Sequence, residues 1–278
     1  MGKTVVYCGV SGSYAEEASL SYFKDADLIT APSFTGAFEA IKLKKADFAV
    51  LPIENSSTGA ISAVYDLLGE YGFFIVGEKT ITITHCLLAQ HGTKIEDITE
   101  VFSHEQGLYQ SRDFLANHPD WKQNSVYNTA AAAQMVSCSE NASFAAIASR
   151  RSAEIYGLDI LCEKKNFKDI NQTRVVVIAS EVFHSPENNK VSLAFSLPHV
   201  SGSLYRILEI FSKEKLNLVK IESRPVADKN WEYLFFLDFT ADTIDERVEN
   251  ILKEVSEKTQ TLRVLGYYKN AIGVEENG

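Results

Sequence analysis

The segment from Phe48 to Ala60, FAVLPIENSSTGA, concentrates polar side chains directly after a short apolar run. The run FAVLPI has the length and composition of a buried parallel strand. A turn after such a strand requires only one or two residues of the Asn or Ser type. Here a carboxylate, an amide, two serines and a threonine follow one another. This surplus of hydrogen-bonding groups indicates side chains that bind or orient a ligand.

Three further junctions between predicted strands and helices carry the same residue types. They are GVSGSYAEEA with Gly9, Gly12 and Ser13, VFSHEQGLYQ with Ser103, His104 and Gln106, and VYNTAAAA with Asn128 and Thr129. In an open parallel sheet, ligands bind outside the carboxyl ends of the strands, where helix N-termini favour anions. Each junction alone could be only a helix N-cap. The four together, with no lysine or arginine among them, predict a site for a small anion.

Thr173 and Arg174 stand at the entry of an otherwise apolar strand in INQTRVVVIAS. Arginine binds carboxylates through two parallel hydrogen bonds, and a threonine hydroxyl can donate a hydrogen bond to a departing oxygen. The pair therefore suits a ligand that has a carboxylate and an oxygen able to accept a hydrogen bond. The alternative, a Thr–Arg pair on an edge strand that faces water, remains open at this point.

Other kinds of site are not supported by the sequence. GVSGS is not a GxGxxG fingerprint and lacks the lysine of a phosphate-binding loop, and no GxSxG segment supports Ser-His-Asp catalysis. The six histidines show no metal-ligand spacing. The cysteines lie far apart and are expected to be small buried hydrophobes in a reducing compartment; they are Cys8, Cys86, Cys138 and Cys162. We therefore expect no metal and no other cofactor.

The charge balance limits the kinds of partner that the protein can bind. The 278 residues include 27 basic and 37 acidic ones, for a formal charge of −10, which argues against a nucleic acid or an anionic membrane as partner. The N-terminus MGKTVVYCGV has no basic-then-apolar signal segment. The longest apolar runs fall far short of the roughly 18 residues of a membrane span. We expect a soluble, cytoplasmic protein.

The elements that must position these residues change in kind along the chain. Residues 1–180 alternate short apolar runs with helical patterns, which is typical of an α/β fold. Within them, 105–119 and 142–157 each read as one helix, the second closed by Gly157. Residues 181–189 read as a linker. The segment 190–270 then follows the order βαββαβ of the ferredoxin-like arrangement.

The junction motifs resemble those of the prephenate dehydratase family, in the family's order. GVSGSYAEEA is similar to GPxGTFSxxA, LPIENSSTG to PIENSxxG, SHEQGLYQ to SHPQxLxQ, NTAAAA to the S/N-T-A-A-A segment, and NQTRV to N-x-T-R-F. SGSLYRILEIF and LNLVKIESRP resemble the GAL-type and ESRP motifs of the family's regulatory ACT domain. The order of these motifs makes the resemblance specific over nearly the whole chain.

The resemblance implies a catalytic region of two α/β lobes, like a type II periplasmic binding protein, with the active site between the lobes. Lobe one would comprise residues 1–82 and 161–180, and lobe two residues 83–160. The ACT domain would span 190–270, and 271–278 would form a tail. The reaction would be the loss of water and CO₂ from prephenate, giving phenylpyruvate in phenylalanine biosynthesis. Since no family mutase helices precede Gly2, we expect the monofunctional form.

The resemblance also assigns roles to residues. Thr173 would donate to the leaving hydroxyl, and Arg174 would hold a carboxylate. The ring and its hydroxyl would be oriented by Glu54, Asn55, Ser103 and Gln110. The remaining substrate-binding residues would be Ser13, Ser56, Gln106 and Thr129. An ionised Glu54 would repel a dianionic substrate, so we expect either a raised pKa for Glu54 or a role on the hydroxyl side.

The resemblance implies that the ACT domain binds phenylalanine as a feedback effector where two ACT domains pair, so we expect a homodimer or homotetramer. The effector-binding residues implied by the resemblance are Gly202, Ser203, Leu204, Asn217, Leu218, Glu222, Ser223 and Arg224. Some residues depart from the family pattern. The departure that bears on activity is Val175, because it replaces the phenylalanine of the N-x-T-R-F motif.

Two alternatives remain open from the sequence. Arogenate dehydratase would share the fold and the site, and it would differ in a substrate that carries an amino group in place of the keto group. A non-catalytic sensor of small anions or amino acids could use the same fold. The presence of Thr173, Arg174, Glu54 and Asn55 favours an enzyme, because a binder has no need of a donor to a leaving group.

Overall fold

The computed structural model describes residues 2–163, 171–225 and 233–271. Three predicted segments lie outside the described residues. They are 164–170 in lobe one, 226–232 in the ACT domain, and most of the tail. None of the described helices is both long and apolar enough to cross a membrane.

The described elements alternate through the first part of the chain and then change order. In chain order, the strands are β1 (Lys3–Cys8), β2 (Ala26–Ala31), β3 (Phe48–Asn55), β4 (Gly59–Ala60), β5 (Phe74–Thr82), β6 (Cys86–Ala89), β7 (Glu100–Ser103), β8 (Lys122–Ser125), β9 (Phe144–Ala148), β10 (Asp159–Glu163), β11 (Gln172–Ala179), β12 (Lys190–Ser196), β13 (Asn217–Pro225), β14 (Tyr233–Thr240) and β15 (Thr261–Tyr268). The α-helices are α1 (Tyr14–Tyr22), α2 (Phe34–Lys42), α3 (Ser62–Tyr71), α4 (Glu105–Gln110), α5 (Arg112–Leu115), α6 (Thr129–Ser137), α7 (Arg150–Tyr156), α8 (Ser203–Lys213) and α9 (Glu246–Lys258), and a 3-10 helix spans Ile95–Asp97.

The first sheet has the strand order β2-β1-β3-β11-β5, with the short β4 paired to β3. Strand β1 lies parallel to β2 and to β3, and its Val5 and Val6 are fully buried. Because β1 and β3 are parallel neighbours, their carboxyl ends meet at one edge of the sheet. The polar residues that follow the two strands are therefore brought together.

The second sheet has the order β10-β6-β9-β7-β8. Its central strand β9 corrects the prediction of one helix over 142–157, because only Arg150–Tyr156 is helical. The run FAAIA is short, and Ala145 to Ala148 are almost fully buried. Alanine favours helices in isolation, but a buried strand between two neighbours also accepts small apolar residues, so tertiary packing decides. The predicted helix stop at Gly157 is confirmed by its left-handed backbone, with φ of 65°.

The helix predicted over 105–119 is divided in two. Helix α4 ends at Gln110, and α5 begins at Arg112. Ser111 between them has φ of −101° and ψ of 5°, outside the regular helical range. Gln110 therefore stands at a helix end instead of in a continuous helix.

The third sheet is antiparallel, in the order β13-β14-β12-β15. Helices α8 and α9 pack against it around one apolar core that includes Phe195, Phe211 and Leu252. This is the βαββαβ arrangement that the sequence predicts. The predicted fold class is confirmed: a two-lobed α/β region is followed by a ferredoxin-like domain.

The chain divides into two compact units. The first contains residues 1–65 and 79–175, and the second contains residues 66–78 and 176–278. Strand β10 pairs with β6 in the second sheet, so residues 161–163 lie with that sheet and not with the lobe-one strands to which the sequence assigned them. The other predicted domain boundaries stay predictions.

Within the second unit, the antiparallel sheet is attached to the segment 66–78. The Arg263 guanidinium donates to the backbone oxygens of Leu68 at 2.5 Å, Gly69 at 3.0 Å and Phe73 at 2.8 Å. The carbonyls of Leu68 and Gly69 lie in the last turn of α3 and that of Phe73 just beyond it, where a cation is favoured. A β-carbon on Gly266 would collide with the backbone of Ile75, so only glycine permits that approach.

Candidate active site

A cavity of about 350 Å³ lies in the first unit, between the lobe of the first sheet and the lobe of the second. This volume is within the usual range for small-molecule sites, roughly 300–1,000 Å³. Its polar and titratable wall residues are Cys8, Ser13, Tyr14, Asn55, His85, His104, Gln106, Gln110, Tyr127, Asn128, Thr129, Asn171 and Thr173. They come from the ends of β1 and β3, the starts of α1 and α6, both ends of α4, the segment between β5 and β6, and the entry of β11. Six of the predicted site residues are thus brought together; they are Ser13, Asn55, Gln106, Gln110, Thr129 and Thr173.

Asn55 organises the hydrogen bonds around Thr173. The Asn55 Oδ1 accepts from the backbone N–H of Ser57 at 2.9 Å, and because an N–H can only donate, this bond fixes which end of the amide is oxygen. The Asn55 Nδ2 therefore donates, to Thr173 Oγ1 at 2.9 Å and to Asn171 Oδ1 at 2.8 Å. Thr173 receives a hydrogen bond and keeps its own proton. Among the described residues, no acceptor takes that proton.

Gln106 joins the two lobes across the cavity. From α4 its Nε2 donates to Asn55 Oδ1 and to Thr58 Oγ1, both at 3.2 Å. The amide of Asn55 is thus held from both lobes. Residues of the second sheet's lobe therefore influence the orientation of Thr173 in the first.

His85 lies in the segment between β5 and β6 and is only 4% exposed. Its Nδ1 is 3.1 Å from Tyr14 Oη and its Nε2 is 2.9 Å from Gln110 Oε1. The Tyr14 hydroxyl donates to the carbonyl of Thr84 at 2.7 Å. Burial, followed by the proximity of Cys86 and Glu17, raises the pKa of Tyr14 well above its ordinary value. This phenol therefore keeps its proton at any working pH.

The N-termini of α1 and α6, two helices of nine residues each, face the cavity. Ser13 caps α1 by accepting from the N–H of Glu16, and Asn128 caps α6 by accepting from the N–H of Ala130. Gly9, with φ of 125°, lies so close to Asn128 that a β-carbon would be 3.1 Å from its Nδ2. The positive ends of the helix dipoles favour a negative charge here.

The cavity wall contains no Lys, Arg, Asp or Glu in the part of the chain that the structure describes. The only wall side chains there that can carry a positive charge are His85 and His104. An anionic ligand is therefore held by neutral donors, helix ends and histidine. The sequence analysis likewise predicts a small-anion site from junctions that contain no lysine or arginine.

Arg174 and Glu54 do not lie in the cavity wall, which corrects the expectation that both contact the substrate. Side chains alternate along a strand, so Thr173 and Val175 face the cavity while Arg174 faces the other side of the sheet. There the Arg174 Nε and Nη2 lie 3.1 and 3.0 Å from Glu54 Oε2. The pair bridges β11 and β3 behind Thr173 and Asn55, so its contribution is to position them.

Ser103 and Ser56 are also outside the wall. Ser103 is fully buried, and its hydroxyl donates to the carbonyl of Ile147 at 2.7 Å. Ser56 Oγ accepts from the N–H of Gln172 at 2.9 Å, which holds the start of β11. Both serines therefore serve the backbone, and this corrects their expected contact with the ligand.

The predicted effector residues fall into two places. Gly202, Ser203 and Leu204 line a second cavity, of about 430 Å³, at the start of α8. The residues on β13 are not part of its wall within one chain; they are Asn217, Leu218, Glu222, Ser223 and Arg224. Leu218 packs on the core of the third sheet. Arg224 pairs with Asp66 at 2.7 Å and Glu222 with Lys220 at 3.1 Å.

Sequence reasoning missed His85, Tyr14 and Asn171 as wall residues. Asn171 precedes the Thr-Arg pair and is 3% exposed, and its buried Nδ2 has no hydrogen-bond partner among the described residues. Its place in the motif NQTR was a usable signal. His85 interrupts the alternating run TITITHCLL, but nothing in that run shows which distant residues it contacts.

The fold and the cavity define an enzyme class: a two-lobed α/β region with a small polar site, joined to a ferredoxin-like domain of the regulatory kind. The family model described as prephenate dehydratase matches residues 5–182, and the ACT domain model matches residues 191–257. The chain belongs to the prephenate dehydratase family, which confirms the resemblance and the expectation of a hydro-lyase.

The similarity to several relatives extends over almost the whole chain. The chloroplastic arogenate dehydratase/prephenate dehydratase 2 of Arabidopsis thaliana is 38% identical over 275 residues, which cover 95% of this chain and 72% of the relative. The prephenate dehydratase of Arthrobacter aurescens, solved in complex with L-Phe, has a TM-score of 0.86 at 28% identity and covers 96% of this chain and 90% of its own. A quorum-quenching acylase, GqqA, has a TM-score of 0.87 at 26% identity and covers 96% of this chain and 98% of its own.

Proposed function

We propose that this cavity converts prephenate into phenylpyruvate, with loss of water and CO₂. The observation that carries the proposal is the hydrogen bond from Asn55 Nδ2 to Thr173 Oγ1. Because Thr173 accepts there, its proton is left to point at an oxygen in the cavity. A hydroxyl donor held in this way suits a leaving hydroxyl group.

The reaction is an elimination driven by aromatisation. The C4–O bond of the ring breaks, and the bond from the ring to its carboxylate breaks to release CO₂. The electrons of that second bond enter the ring as it becomes aromatic. One proton taken from solvent completes the water molecule, so prephenate dianion and H⁺ give phenylpyruvate anion, CO₂ and water. Thr173 donates a hydrogen bond to the departing oxygen, and such assistance is typically worth about 10²–10⁴-fold in rate.

The other wall residues bind and orient the substrate. The N-termini of α1 and α6 and the hydroxyls of Ser13 and Thr129 stabilise the carboxylates. Gln106 holds Asn55 from the opposite lobe. Arg174 and Glu54 act from behind the wall, because their ion pair links the two strands that carry Thr173 and Asn55.

The wall composition supports prephenate over arogenate as the substrate. Arogenate carries an ammonium group where prephenate has a keto oxygen, and a buried ammonium calls for a carboxylate partner. The described part of the wall offers no Asp or Glu. We expect kcat/KM for prephenate to exceed that for arogenate, and parallel assays of the two substrates check this.

The test of the reaction compares two variants of Thr173. Thr173→Val keeps the shape but removes the donor, so kcat with prephenate should fall about 10²–10⁴-fold. Thr173→Ser keeps the donor and should stay within about tenfold of the parent chain. Phenylpyruvate formation is followed by its absorbance in alkali. A parent chain that binds prephenate without turnover would be a sensor, and full kcat in Thr173→Val would disprove the role of the hydroxyl.

Phenylalanine as an allosteric inhibitor is part of the same proposal. The cavity at the start of α8 has Tyr205, Tyr233 and Phe235 in its wall, which suits an aromatic side chain, and the eleven-residue helix offers its N-terminus to a carboxylate. On β13, Ser223 is the register partner of the wall residue Phe235. We further propose that the effector binds where two ACT domains pair, in a homodimer or homotetramer, and that the protein is cytoplasmic.

Added phenylalanine should lower the rate and change the mass measured by light scattering or sedimentation. Gly202→Val should abolish inhibition but keep the uninhibited rate, because φ of 81° at Gly202 disfavours a side chain. Inhibition that survives this change would place the effector elsewhere.

A further inference from the structure

His85 is the one buried histidine of the cavity wall, and both of its ring nitrogens face oxygen atoms. Nδ1 is 3.1 Å from Tyr14 Oη, and Nε2 is 2.9 Å from Gln110 Oε1. Neutral imidazole has one donor nitrogen and one acceptor nitrogen, whereas the protonated ring has two donors. The state of the ring therefore decides what its two neighbours must do.

The Tyr14 side fixes the proton on Nδ1. A phenol has a single proton, and the carbonyl of Thr84, which can only accept, lies 2.7 Å from Tyr14 Oη. Burial keeps the pKa of Tyr14 well above its ordinary value, so the hydroxyl is present and donates to Thr84. Its lone pair is then left for His85, and Nδ1 must be the donor in that contact.

The orientation of the Gln110 carboxamide follows from this assignment. If the ring is neutral, Nε2 has no proton, and Gln110 must turn its NH₂ toward it and its oxygen toward the cavity. If the ring is protonated, Nε2–H donates to Gln110 Oε1, and the NH₂ of Gln110 faces the cavity. The two ends of a carboxamide have nearly the same shape, so either orientation fits. In the structure Oε1 is the end that faces Nε2, at 2.9 Å, which is the amide orientation that a protonated ring requires.

We propose that His85 is a positioning residue whose protonation turns the amide of Gln110, so that its NH₂ is presented to an anionic oxygen of the substrate. With His85 neutral, Gln110 presents a carbonyl oxygen to the same atom and weakens binding. This inference rests on the proposed function, because it assigns a role toward the same anionic substrate. It predicts that kcat/KM is high when His85 is protonated and falls as the pH rises through the pKa of His85.

Other titratable groups lie near His85 and are alternative sources of such a pH dependence. They are Tyr14 on α1, Cys86 on β6, Cys162 and Glu163 on β10, and, around the main cavity, Cys8, His104 and Tyr127. Burial raises the pKa of the thiols of Cys8 and Cys86, which moves them further above the histidine range. Glu163 is paired with Arg150. His104 is the group that most needs a control, since it is exposed on the same wall.

The experiment measures kcat and KM for prephenate across the range in which histidine titrates, about pH 5–8, with the uncatalysed rate subtracted. In the parent chain kcat/KM should fall about tenfold per pH unit above the pKa of His85. His85→Asn should remove this fall and raise KM more than it lowers kcat. Tyr14→Phe should weaken the fall, because the neutral ring can then carry its proton on Nε2 and keep Gln110 in the productive orientation.

The control is His104→Asn, which preserves the helix cap because asparagine is a favoured N-cap residue. It should retain the fall of kcat/KM with pH. If His85→Asn does not fold, Gln110→Leu, at a half-buried position, should also remove the fall. A fall that is absent from the parent chain, that persists in His85→Asn, or that disappears in His104→Asn overturns the proposal. A parent chain without turnover at any pH overturns the proposed function instead.

Discussion

Two groups of buried polar side chains in this chain use their hydrogen-bonding capacity differently. In the cavity wall, Thr173 accepts from Asn55 and keeps its own proton available. In the second unit, Lys190 Nζ donates to both carboxylate oxygens of Glu78 at 2.9 and 2.8 Å and lies 3.9 Å from Asp238. The side chains of Lys190 and Glu78 are 1% and 0% exposed.

The difference separates a binding site from a structural cluster. Asp238 accepts from the hydroxyl of Ser192 at 2.6 Å, and Glu78 accepts from the N–H of Ala271 at 3.0 Å. Buried charges are tolerated only when they are paired and hydrogen-bonded, and this cluster meets both conditions internally. Its groups are therefore committed to the fold, whereas a wall that keeps a donor in reserve can still bind a ligand.

The largest expected effect on stability comes from removing the cation of the cluster. Lys190→Met leaves Glu78 and Asp238 buried beside an apolar side chain, so the free energy of unfolding should fall by about 3–5 kcal/mol. Urea unfolding followed by circular dichroism measures this change.

The matched control removes a lysine from an exposed ion pair. Lys213 pairs with Glu209 on α8, with side chains 69% and 38% exposed, so Lys213→Met should change stability by at most about 0.5 kcal/mol. The double variant Lys190→Met with Glu78→Gln should recover part of the loss, because one uncompensated charge is gone. Equal effects of the two single lysine variants would contradict the structural role of the cluster.

The next prediction tests whether substrate binding and turnover depend on the uncharged side chains of the cavity wall. Asn55→Asp replaces the donor to Thr173 with a carboxylate that also repels an anionic substrate. Losing a buried hydrogen bond costs about 1–3 kcal/mol, so kcat/KM for prephenate should fall roughly tenfold to a hundredfold or more. Steady-state assays measure this, and a variant with unchanged kcat/KM would show that the amide of Asn55 does not orient Thr173.

A smaller effect concerns an ion pair between the lobes. Burial pushes the pKa of Glu16 upward, but hydrogen bonds from the N–H of Gly12 and from Arg151 outweigh it and leave the pKa lowered. A lowered folded-state pKa gives stability that is present above the unfolded value of about 4.3 and is lost as the pH falls through the folded value. Glu16→Gln should thus destabilise the chain by about 1–2 kcal/mol at neutral pH. The difference from the parent chain should shrink in acid; unfolding curves at several pH values test this.

The sequence predicts the parts of this site that depend on local structure. The junction that contains Ser13 is recognisable as a possible helix N-cap, because capping requires only a short polar side chain two or three residues before the N–H from which it accepts. The approach of Thr173 to Asn55 followed from the family resemblance. His85 was missed because its partner Tyr14 is 71 residues away and Gln110 is 25 residues away. Such contacts are set by the packing of the lobes.

Strand alternation separates two pairs of the predicted site residues. Thr173 and Arg174 are neighbours on β11, and neighbours on a strand face opposite sides, so both could not enter one cavity. The same holds for Glu54 and Asn55 on β3. The resemblance named all four as site residues, and the structure places only Thr173 and Asn55 in the wall.

The smallest expected effect follows from that separation. Glu54→Gln keeps an oxygen that can accept from Arg174, on a side chain that is 37% exposed, so stability should change by at most about 1 kcal/mol. Since Glu54 lies behind the wall, kcat/KM should change less than tenfold, an expected loss smaller than that of Asn55→Asp one residue along the same strand. Parallel assays of the two variants compare them directly. A larger loss from Glu54→Gln than from Asn55→Asp would mean that the carboxylate reaches the substrate, because a purely positioning ion pair cannot matter more than the donor that it positions.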